Sequence, residues 1–208
     1  AASRLSPADL DADYIANARY LHLTGITPAL SASCRETAFA AAAIAREAGV
    51  PVVLDPNLRF KLWSREEARA TLRDLATHAD ILLPGADEAE FLTGESDPEA
   101  AARALLAHAP SLSLVVVKLG PEGALAVTRE GILRAPATPL PRVIDPVGAG
   151  DAWAAGFYAG NLRGLDLAAT LSLANRCGAW ATTAPGDADV FPRWEEVASA
   201  AGGPDVRR

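Results

Sequence analysis

The sequence has 208 residues, of which 50% are hydrophobic and 22% charged, and it carries a formal net charge of −7. This composition fits one globular domain with a sizeable core, and no apolar run reaches the length of a membrane span. The negative charge, the scattered basic residues and the lack of a signal-peptide pattern argue against nucleic-acid, membrane and secreted proteins, so we expect a cytoplasmic protein.

Two further features of the composition bear on what kind of chain this is. Cys34 and Cys177 both fall in helical patterns and lack metal-ligand spacing, so we expect them to be small core residues. The sequence contains no Met, not even at position 1. We therefore expect the chain to be a fragment or a processed product.

Short apolar strands alternate with helical patterns along the chain. In order, we predict a strand at 20–24, a helix from Ser31 or Ser33 to about Ala48, a strand at 52–54, a helix from Ser64 to Ala76, a strand at 81–83, helices at 86–92 and 98–108, strands at 114–118, 124–127 and 132–133, helices at 151–162 and 167–182, and a last helix starting near Pro192. Most of these strands are continuous apolar runs, which is typical of a parallel sheet covered on both faces. We interpret His22 as a hydrogen-bonded histidine on a buried strand.

Ligands of open parallel sheets bind at the carboxyl ends of the strands. Polar residues gather at three such ends, namely Asp55, Asn57 and Arg59, then Lys118 and Gly120, and finally Asp145 and Asp151. These positions are the first candidates for a functional site.

Residues 145–151 read D-P-V-G-A-G-D and continue into a helical pattern. Gly148 and Gly150 let the backbone turn so that successive N–H groups face one point at a helix N-terminus, which favours a phosphate. An aspartate beside that anion, Asp151, is suited to taking a proton from an attacking hydroxyl. The alternative, which G-x-G-D alone leaves open, is a turn with Asp151 as a helix cap.

The same seven residues resemble the D-T-x-G-A-G-D signature of the ribokinase-like (PfkB) sugar kinases, with Pro146 in place of Thr. The resemblance implies that Asp151 is the catalytic base beside the sugar hydroxyl. It also implies an anion hole for the transferred phosphoryl group, formed by Gly148, Ala149 and Gly150. Asp145 and Val147 become weaker candidates for a monovalent-cation site, for example for K⁺.

The segment 55–63 reads D-P-N-L-R-F-K-L-W. From its residues alone it is best interpreted as an ordinary turn with a surface arginine, although a guanidinium suits bidentate contact with phosphate or carboxylate. It resembles a stretch of the 2-keto-3-deoxygluconate kinases within the PfkB family. That resemblance implies contacts from Asn57 and Arg59 to the nucleotide phosphates and from Arg59 to the acid sugar.

Residues 84–94 resemble the family segment P-N-x-x-E-A-E-x-L-T-G, with Gly85 where the family has Asn. The resemblance implies that Glu88 helps to organise Mg²⁺ through water. Without it, the segment is the start of an amphipathic helix with solvated acids. Magnesium is also expected on chemical grounds, because it neutralises a triphosphate during phosphoryl transfer.

Three further resemblances concern the nucleotide and the cation. Residues 117–124 resemble the family's strand-turn-strand beside the nucleotide, which implies phosphate contact by Lys118 and close backbone approach at Gly120 and Gly123. A simple hairpin turn is the alternative. Asn175 matches a helix position that contacts adenine, with a solvent-facing Asn as the alternative. The loop at 183–186 resembles one near the cation site, although Ala184 stands where Arg or Lys is common.

The family resemblance covers the chain from about residue 18 and implies a ribokinase-like three-layer αβα fold with a mostly parallel sheet. An N-terminal third of the family, with the first strands, a substrate motif and a β lid, has no counterpart here. We therefore expect residues 1–208 to be a single domain, the nucleotide-binding and catalytic portion of a sugar kinase. The implied reaction is ATP-dependent phosphorylation of 2-dehydro-3-deoxy-D-gluconate to its 6-phosphate. Another sugar such as fructose, a non-catalytic nucleotide-binding fragment and homo-oligomerisation of the full-length protein stay open.

Overall fold

The computed structural model describes residues 2–140, 142–186 and 190–198. The strands are β1 (Leu21–Thr24), β2 (Val52–Asp55), β3 (Ile81–Leu82), β4 (Leu114–Lys118), β5 (Ala124–Val127) and β6 (Ile132–Ala135). The α-helices are α1 (Ala12–Ala16), α2 (Ile26–Leu30), α3 (Ala32–Glu47), α4 (Arg65–Ala76), α5 (Ala86–Thr93), α6 (Pro98–His108), α7 (Ala149–Leu162), α8 (Leu167–Ala181) and α9 (Trp194–Ala198). The alternation of strands and helices predicted from the sequence is confirmed.

The six strands form one sheet in chain order, and the pairs β1–β2, β2–β3 and β3–β4 are parallel. Parallel neighbours need a crossover, which α3 provides between β1 and β2 and α4 between β2 and β3. The register pairs Thr24 with Asp55 and Leu54 with Leu82, so the strand ends lie side by side. The carboxyl ends of the parallel strands consequently meet at one edge of the sheet.

Side-chain caps fix where the helices begin. Ser31 accepts a hydrogen bond from the Cys34 N–H at 3.1 Å, which selects Ser31 over Ser33 as the cap of α3. The predicted capping box of α4 is confirmed, because Ser64 and Glu67 each accept a bond from the other's backbone N–H at 3.2 Å. Hydrogen bonds from Ser64 lower the pKa of the Glu67 carboxyl.

The structure corrects three of these predictions. Strand β1 is buried only at Leu23, and His22 is exposed, because β1 lies at an edge of the sheet. Helices α1 and α2, on either side of β1, are not among the predicted elements, because five residues show no helical period long enough to identify a helix. Helix α7 begins at Ala149, two residues before the predicted start at Asp151.

The core consists mainly of aliphatic side chains on the strands and the inner helix faces. Cys34 and Cys177 are both buried free thiols, as predicted, and burial raises the pKa of Cys177. Among the described residues, no helix has the length and apolar character needed to cross a bilayer.

The described residues group into two compact units. The first contains the chain up to Lys118 together with Leu125–Ile132, and the second contains Leu119–Ala124 and the described residues from Leu133 onward. The single domain expected from the sequence stays a prediction, and the two units are described separately below.

Helices α7 and α8 of the second unit pack closely through two glycines. A Cβ on Gly156 would lie 2.8 Å from the Ala174 Cα and 2.9 Å from the Cys177 Sγ. A Cβ on Gly160 would lie 2.8 Å from the Thr170 Oγ1. These contacts are shorter than van der Waals packing permits, so both positions require glycine.

We expect Gly156→Ala to lower the free energy of unfolding by about 1–3 kcal/mol, because α7 and α8 must move apart. Urea unfolding of the 208-residue chain measures this effect. Gly150→Ala is the control within the same helix, since nothing lies within 4 Å of a Cβ at Gly150. Alanine there should leave stability unchanged or raise it by about 0.5–1 kcal/mol. Equal losses in both variants would contradict the packing argument.

Candidate active site

A buried ion pair joins the carboxyl ends of β2 and β4 in the first unit. Lys118 Nζ lies 2.7 Å from Asp55 Oδ2, and Asp55 is 3% exposed. The Lys118 N–H also donates to the Pro84 carbonyl at 2.8 Å, in the segment that follows β3. Lys118 is therefore held by both its backbone and its side chain, and its ammonium keeps two further N–H donors.

Glu88 connects two loops at the same end of the sheet. Its Oε2 accepts a hydrogen bond from the Gly85 N–H at 2.7 Å and caps α5, while its Oε1 accepts from the Leu58 N–H at 2.8 Å. Both oxygens of the carboxylate are engaged with backbone donors. This attaches the loop after β2 to the start of α5.

Asn57 has an unusual backbone conformation, with φ of 39°, the only positive value for a non-glycine among the described residues. Its N–H donates to Asp55 Oδ1 at 3.2 Å, and Asn57 Oδ1 is buried without a hydrogen-bond partner among the described residues. A buried acceptor of this kind is expected to meet a donor. Arg59, two residues further on, is exposed, and among the described residues its guanidinium donates only to the Leu58 carbonyl, at 2.9 Å.

The G-A-G-D segment of the second unit forms a tight turn into α7. Gly148 precedes the helix with φ of 75°, a left-handed conformation that favours glycine. Within the described residues, the N–H groups of Gly150 and Asp151 have no acceptor, as expected for the first turn of a helix. These donors and the helix dipole make the turn suitable for an anion.

The Asp151 carboxylate is exposed, is the third residue of α7 and has no hydrogen bond or ion pair to any described residue. It therefore caps nothing in this structure. A free carboxylate beside free backbone donors is the arrangement that a general base near a phosphate requires.

The segment before the turn is tied to the end of α8. The N–H groups of Ile144 and Asp145 both donate to the Thr182 carbonyl, at 2.8 and 3.2 Å. Asp145 Oδ1 accepts a bond from the Val147 N–H at 3.0 Å. The two cation candidates, Asp145 and Val147, thus lie in one small turn beside the carboxyl end of α8, where the helix dipole favours a cation.

The glycine turn after β4 is shaped by its backbone. Gly120 has φ of 57° and Gly123 has φ of 97°, and the Gly123 carbonyl accepts a bond from the Leu119 N–H at 2.8 Å. A Cβ on Gly123 would collide with the Ala135 carbonyl, whereas a Cβ on Gly120 would have no atom within 4 Å. Gly123 is therefore needed for packing, and Gly120 lies open.

Asn175 is not the solvent-facing residue of the simpler alternative, because it is 6% exposed. Its Oδ1 accepts from the Trp153 indole at 2.8 Å, and its amide donates to the carbonyls of Ala135 at 3.1 Å and Pro136 at 2.9 Å. Both N–H donors of the amide are used inside the protein. This geometry favours a structural role, and contact with adenine stays a prediction.

The structure brings together, in the first unit, Asp55, Asn57, Glu88 and Lys118. In the second unit it groups the residues of the D-P-V-G-A-G-D turn. Sequence reasoning missed the pairing of Asp55 with Lys118 and the anchoring of Asn175 by Trp153. The first could have been found, since opposite charges at the carboxyl ends of parallel strands of one sheet lie on the same side of that sheet, here with β3 between them.

No three His, Cys, Asp or Glu side chains in the described part of the chain lie close enough to hold a metal ion. Mg²⁺ commonly keeps several waters and binds through one or two carboxylates together with substrate phosphates. The residues present fit that mode, since each Glu88 oxygen accepts one backbone hydrogen bond and keeps a lone pair that could hold a water ligand of the ion.

Comparison with known proteins identifies relatives of this chain. A sequence profile described as "pfkB family carbohydrate kinase" matches residues 1–194. The chain is 41% identical over 202 residues to a 2-dehydro-3-deoxygluconokinase of Bacillus subtilis, covering 96% of this chain and 61% of the relative. It is 36% identical over 203 residues to a fructokinase of Klebsiella pneumoniae, covering 93% of this chain and 64% of that protein. The chain thus spans roughly three fifths of the length of these curated relatives.

Solved structures agree with the sequence matches. A PfkB protein from Polaromonas sp. JS666 superimposes with a TM-score of 0.80 at 39% identity, covering 89% of this chain and 60% of that one. A double mutant of Vibrio cholerae fructokinase, with fructose, ADP and potassium bound, superimposes with a TM-score of 0.82 at 31% identity, covering 91% of this chain and 63% of that one. The fold is the ribokinase-like α/β fold with a mostly parallel sheet.

We expect Glu88→Gln to lower the free energy of unfolding by about 1–3 kcal/mol. Glutamine has one acceptor oxygen, so either the Gly85 or the Leu58 N–H would face an NH₂ group. Glu90→Gln on the same helix is the matched control, because Glu90 is exposed and should change stability by less than about 0.5 kcal/mol. Chemical denaturation compares the two variants, and indistinguishable midpoints would show that Glu88 does not hold the loop.

Proposed function

The chain belongs to the pfkB family of carbohydrate kinases, and we propose that it forms the nucleotide-binding and catalytic part of a kinase acting on a sugar acid. The proposed reaction transfers the γ-phosphoryl group of ATP to a hydroxyl of 2-dehydro-3-deoxy-D-gluconate and gives the 6-phosphate and ADP. The observation that carries the proposal is the Asp151 carboxylate, which has no partner among the described residues, beside the N–H groups of Gly150 and Asp151, which have no acceptor there.

In the proposed mechanism Asp151 takes the proton of the attacking sugar hydroxyl. The hydroxyl oxygen then bonds to the γ-phosphorus while the bond from that phosphorus to the β,γ-bridging oxygen breaks and ADP leaves. The backbone N–H groups of Gly148 and Gly150 would stabilise the charge on the transferred group, and the glycines allow this close approach. The N–H of Ala149, the third residue of the implied anion hole, already donates to the Pro146 carbonyl at 3.3 Å. The negative charge of Asp151 itself does not favour phosphate binding, which supports a chemical rather than a binding role.

We assign candidate nucleotide contacts in each unit by itself. Lys118 has two remaining N–H donors for a phosphate, and the buried, unpartnered Asn57 Oδ1 is suited to a donor of the bound nucleotide. Gly120 and Gly123 would allow backbone contact, and Asn175 would support the pocket from within. Mg²⁺ would neutralise the phosphates, with Glu88 holding its water shell. A potassium ion beside Asp145 and Val147 is proposed by analogy with the potassium-bound fructokinase.

Arg59 supports an acidic sugar as substrate. Its guanidinium is exposed and has no carboxylate partner among the described residues, so it can bind an anionic group bidentately. The 41% identity to a 2-dehydro-3-deoxygluconokinase points the same way. Fructose is the second candidate because fructokinases match at 36% identity. We place the reaction in the cytoplasm, where ATP is available.

Asp151→Asn should lower kcat by about 10²–10⁴-fold, because the amide cannot accept the proton. ATP affinity should hold or rise, since a negative charge near the phosphates is lost. Release of ADP measures kcat, first for the 208-residue chain and then for the same chain joined to the N-terminal segment of a relative. Asp145→Asn serves as a comparison for loss of a carboxylate in the same turn. Near-normal kcat in Asp151→Asn would refute the assignment of the base.

Arg59→Lys should lower kcat/KM for 2-dehydro-3-deoxy-D-gluconate by about ten- to a hundredfold, because lysine keeps the charge and loses the planar fork. If Arg59 binds the carboxylate of the sugar acid, the change in kcat/KM with fructose as substrate should be small, because fructose has no carboxylate. Lys61→Arg, an exposed change in the same loop, controls for loop disturbance. Equal losses with both sugars would assign Arg59 to the nucleotide instead of the sugar acid.

A further inference from the structure

A second anionic ligand site is suggested by a cavity on the helical side of the first unit. This cavity is an open depression of the surface with a volume of about 520 Å³, lined by Arg65, Glu66, Arg69, Ala70, Arg73 and Phe91, the first four of them exposed. None of these residues belongs to the proposed kinase site. The three arginines are spaced four residues apart on α4, so they share one helix face.

Two of the guanidinium groups are positioned by aromatic rings. The Arg65 Cζ lies 4.5 Å from the ring centre of Phe60 and 4.9 Å from that of Phe91, and the Arg69 Cζ lies 5.0 Å from Phe91. The two rings support each other edge to face at 5.2 Å. Neither arginine has a hydrogen bond or an ion pair to a described residue, so their N–H donors are available.

The third guanidinium is held by polar contacts. Arg73 donates to the Leu92 carbonyl at 2.9 Å and lies 2.9 Å from His108 Nδ1, which must act as the acceptor because arginine only donates. The other ring nitrogen of His108 lies 3.2 Å from the Arg73 carbonyl. Arg73 is thus fixed without a carboxylate, and its positive charge is not neutralised.

The charge in the cavity selects the class of ligand. Three arginines and the carboxylate of Glu66 leave two positive charges, in a protein whose formal net charge is −7. A phosphate monoester carries about −1.5 to −2 at pH 7 and offers the oxygen geometry that guanidinium forks match. Positioned side chains also lose less entropy when they bind.

We propose that this cavity binds the phosphate group of a small phosphorylated metabolite, with Arg65 and Arg69 as the principal ligands and Arg73 completing the site. The exposed apolar surface of Ala70 would contact the carbon skeleton. This goes beyond the proposed kinase reaction and does not depend on it.

Isothermal titration calorimetry of the 208-residue chain tests the proposal with glucose 6-phosphate, inorganic phosphate and glucose as probes. We expect glucose 6-phosphate to bind with a millimolar or lower Kd and glucose not to bind. Arg69→Gln should weaken binding about tenfold or more, because hydrogen bonds to a charged partner are lost. Tighter binding of glucose 6-phosphate than of phosphate identifies a metabolite site, and equal binding identifies a site for the free ion.

Two controls separate this site from other anion sites of the chain. Arg103→Gln removes an arginine outside the cavity, one paired with Glu99 at 3.0 Å, and should leave phosphate binding unchanged. Arg69→Gln should leave ATP binding unchanged, because Arg69 lies outside the proposed kinase site. If the unsubstituted chain does not bind ATP, that result contradicts the kinase proposal and leaves the present proposal intact. Arg65→Gln replaces Arg69→Gln if the latter fails to fold. Absence of binding, or binding that neither cavity variant weakens, would overturn the proposal.

Discussion

The ion pair between Lys118 and Asp55 is the interaction on which the polar end of the first unit depends. It connects the end of β2 to the end of β4, and β3 lies between these two strands. The other carboxylate oxygen of Asp55 accepts the hydrogen bond from the Asn57 N–H. A buried pair of this kind adds little net stability, whereas loss of one partner costs about 3–5 kcal/mol. We therefore expect its main effect to be on geometry, because it holds the ends of β2 and β4 and the loop after β2 in place.

Elements set by local chemistry could be predicted from the sequence. The capping box of Ser64 and Glu67 predicts the start of α4, and the continuous apolar runs predict the strands, in each case within a few residues of the observed bounds. Helix α2 could not be predicted, since five residues offer no complete amphipathic period. The burial of β1 was overestimated because its apolar sequence does not reveal that it lies at an edge of the sheet.

Some features of the candidate site could also be predicted from the sequence, and others could not. The glycine turn before α7 could be predicted because a left-handed residue and free N–H donors follow from short-range rules. The contacts of Glu88 with Leu58 and of Asn175 with Trp153 could not, since they join residues 30 and 22 positions apart in the chain. Such contacts depend on tertiary packing. The sequence identifies Glu88 as important, but only the fold shows that each of its oxygens already accepts a backbone hydrogen bond.

The backbone of Asn57 illustrates a conflict between stability and activity. A positive φ costs an asparagine more than a glycine, although less than most other residues. Glycine at this position would relieve the conformation, yet it would remove the buried carbonyl oxygen that we assign to the nucleotide. A redesign of the protein guided by thermal tolerance alone would therefore choose glycine here and lose the proposed nucleotide contact. Position 57 should be held fixed in any such redesign.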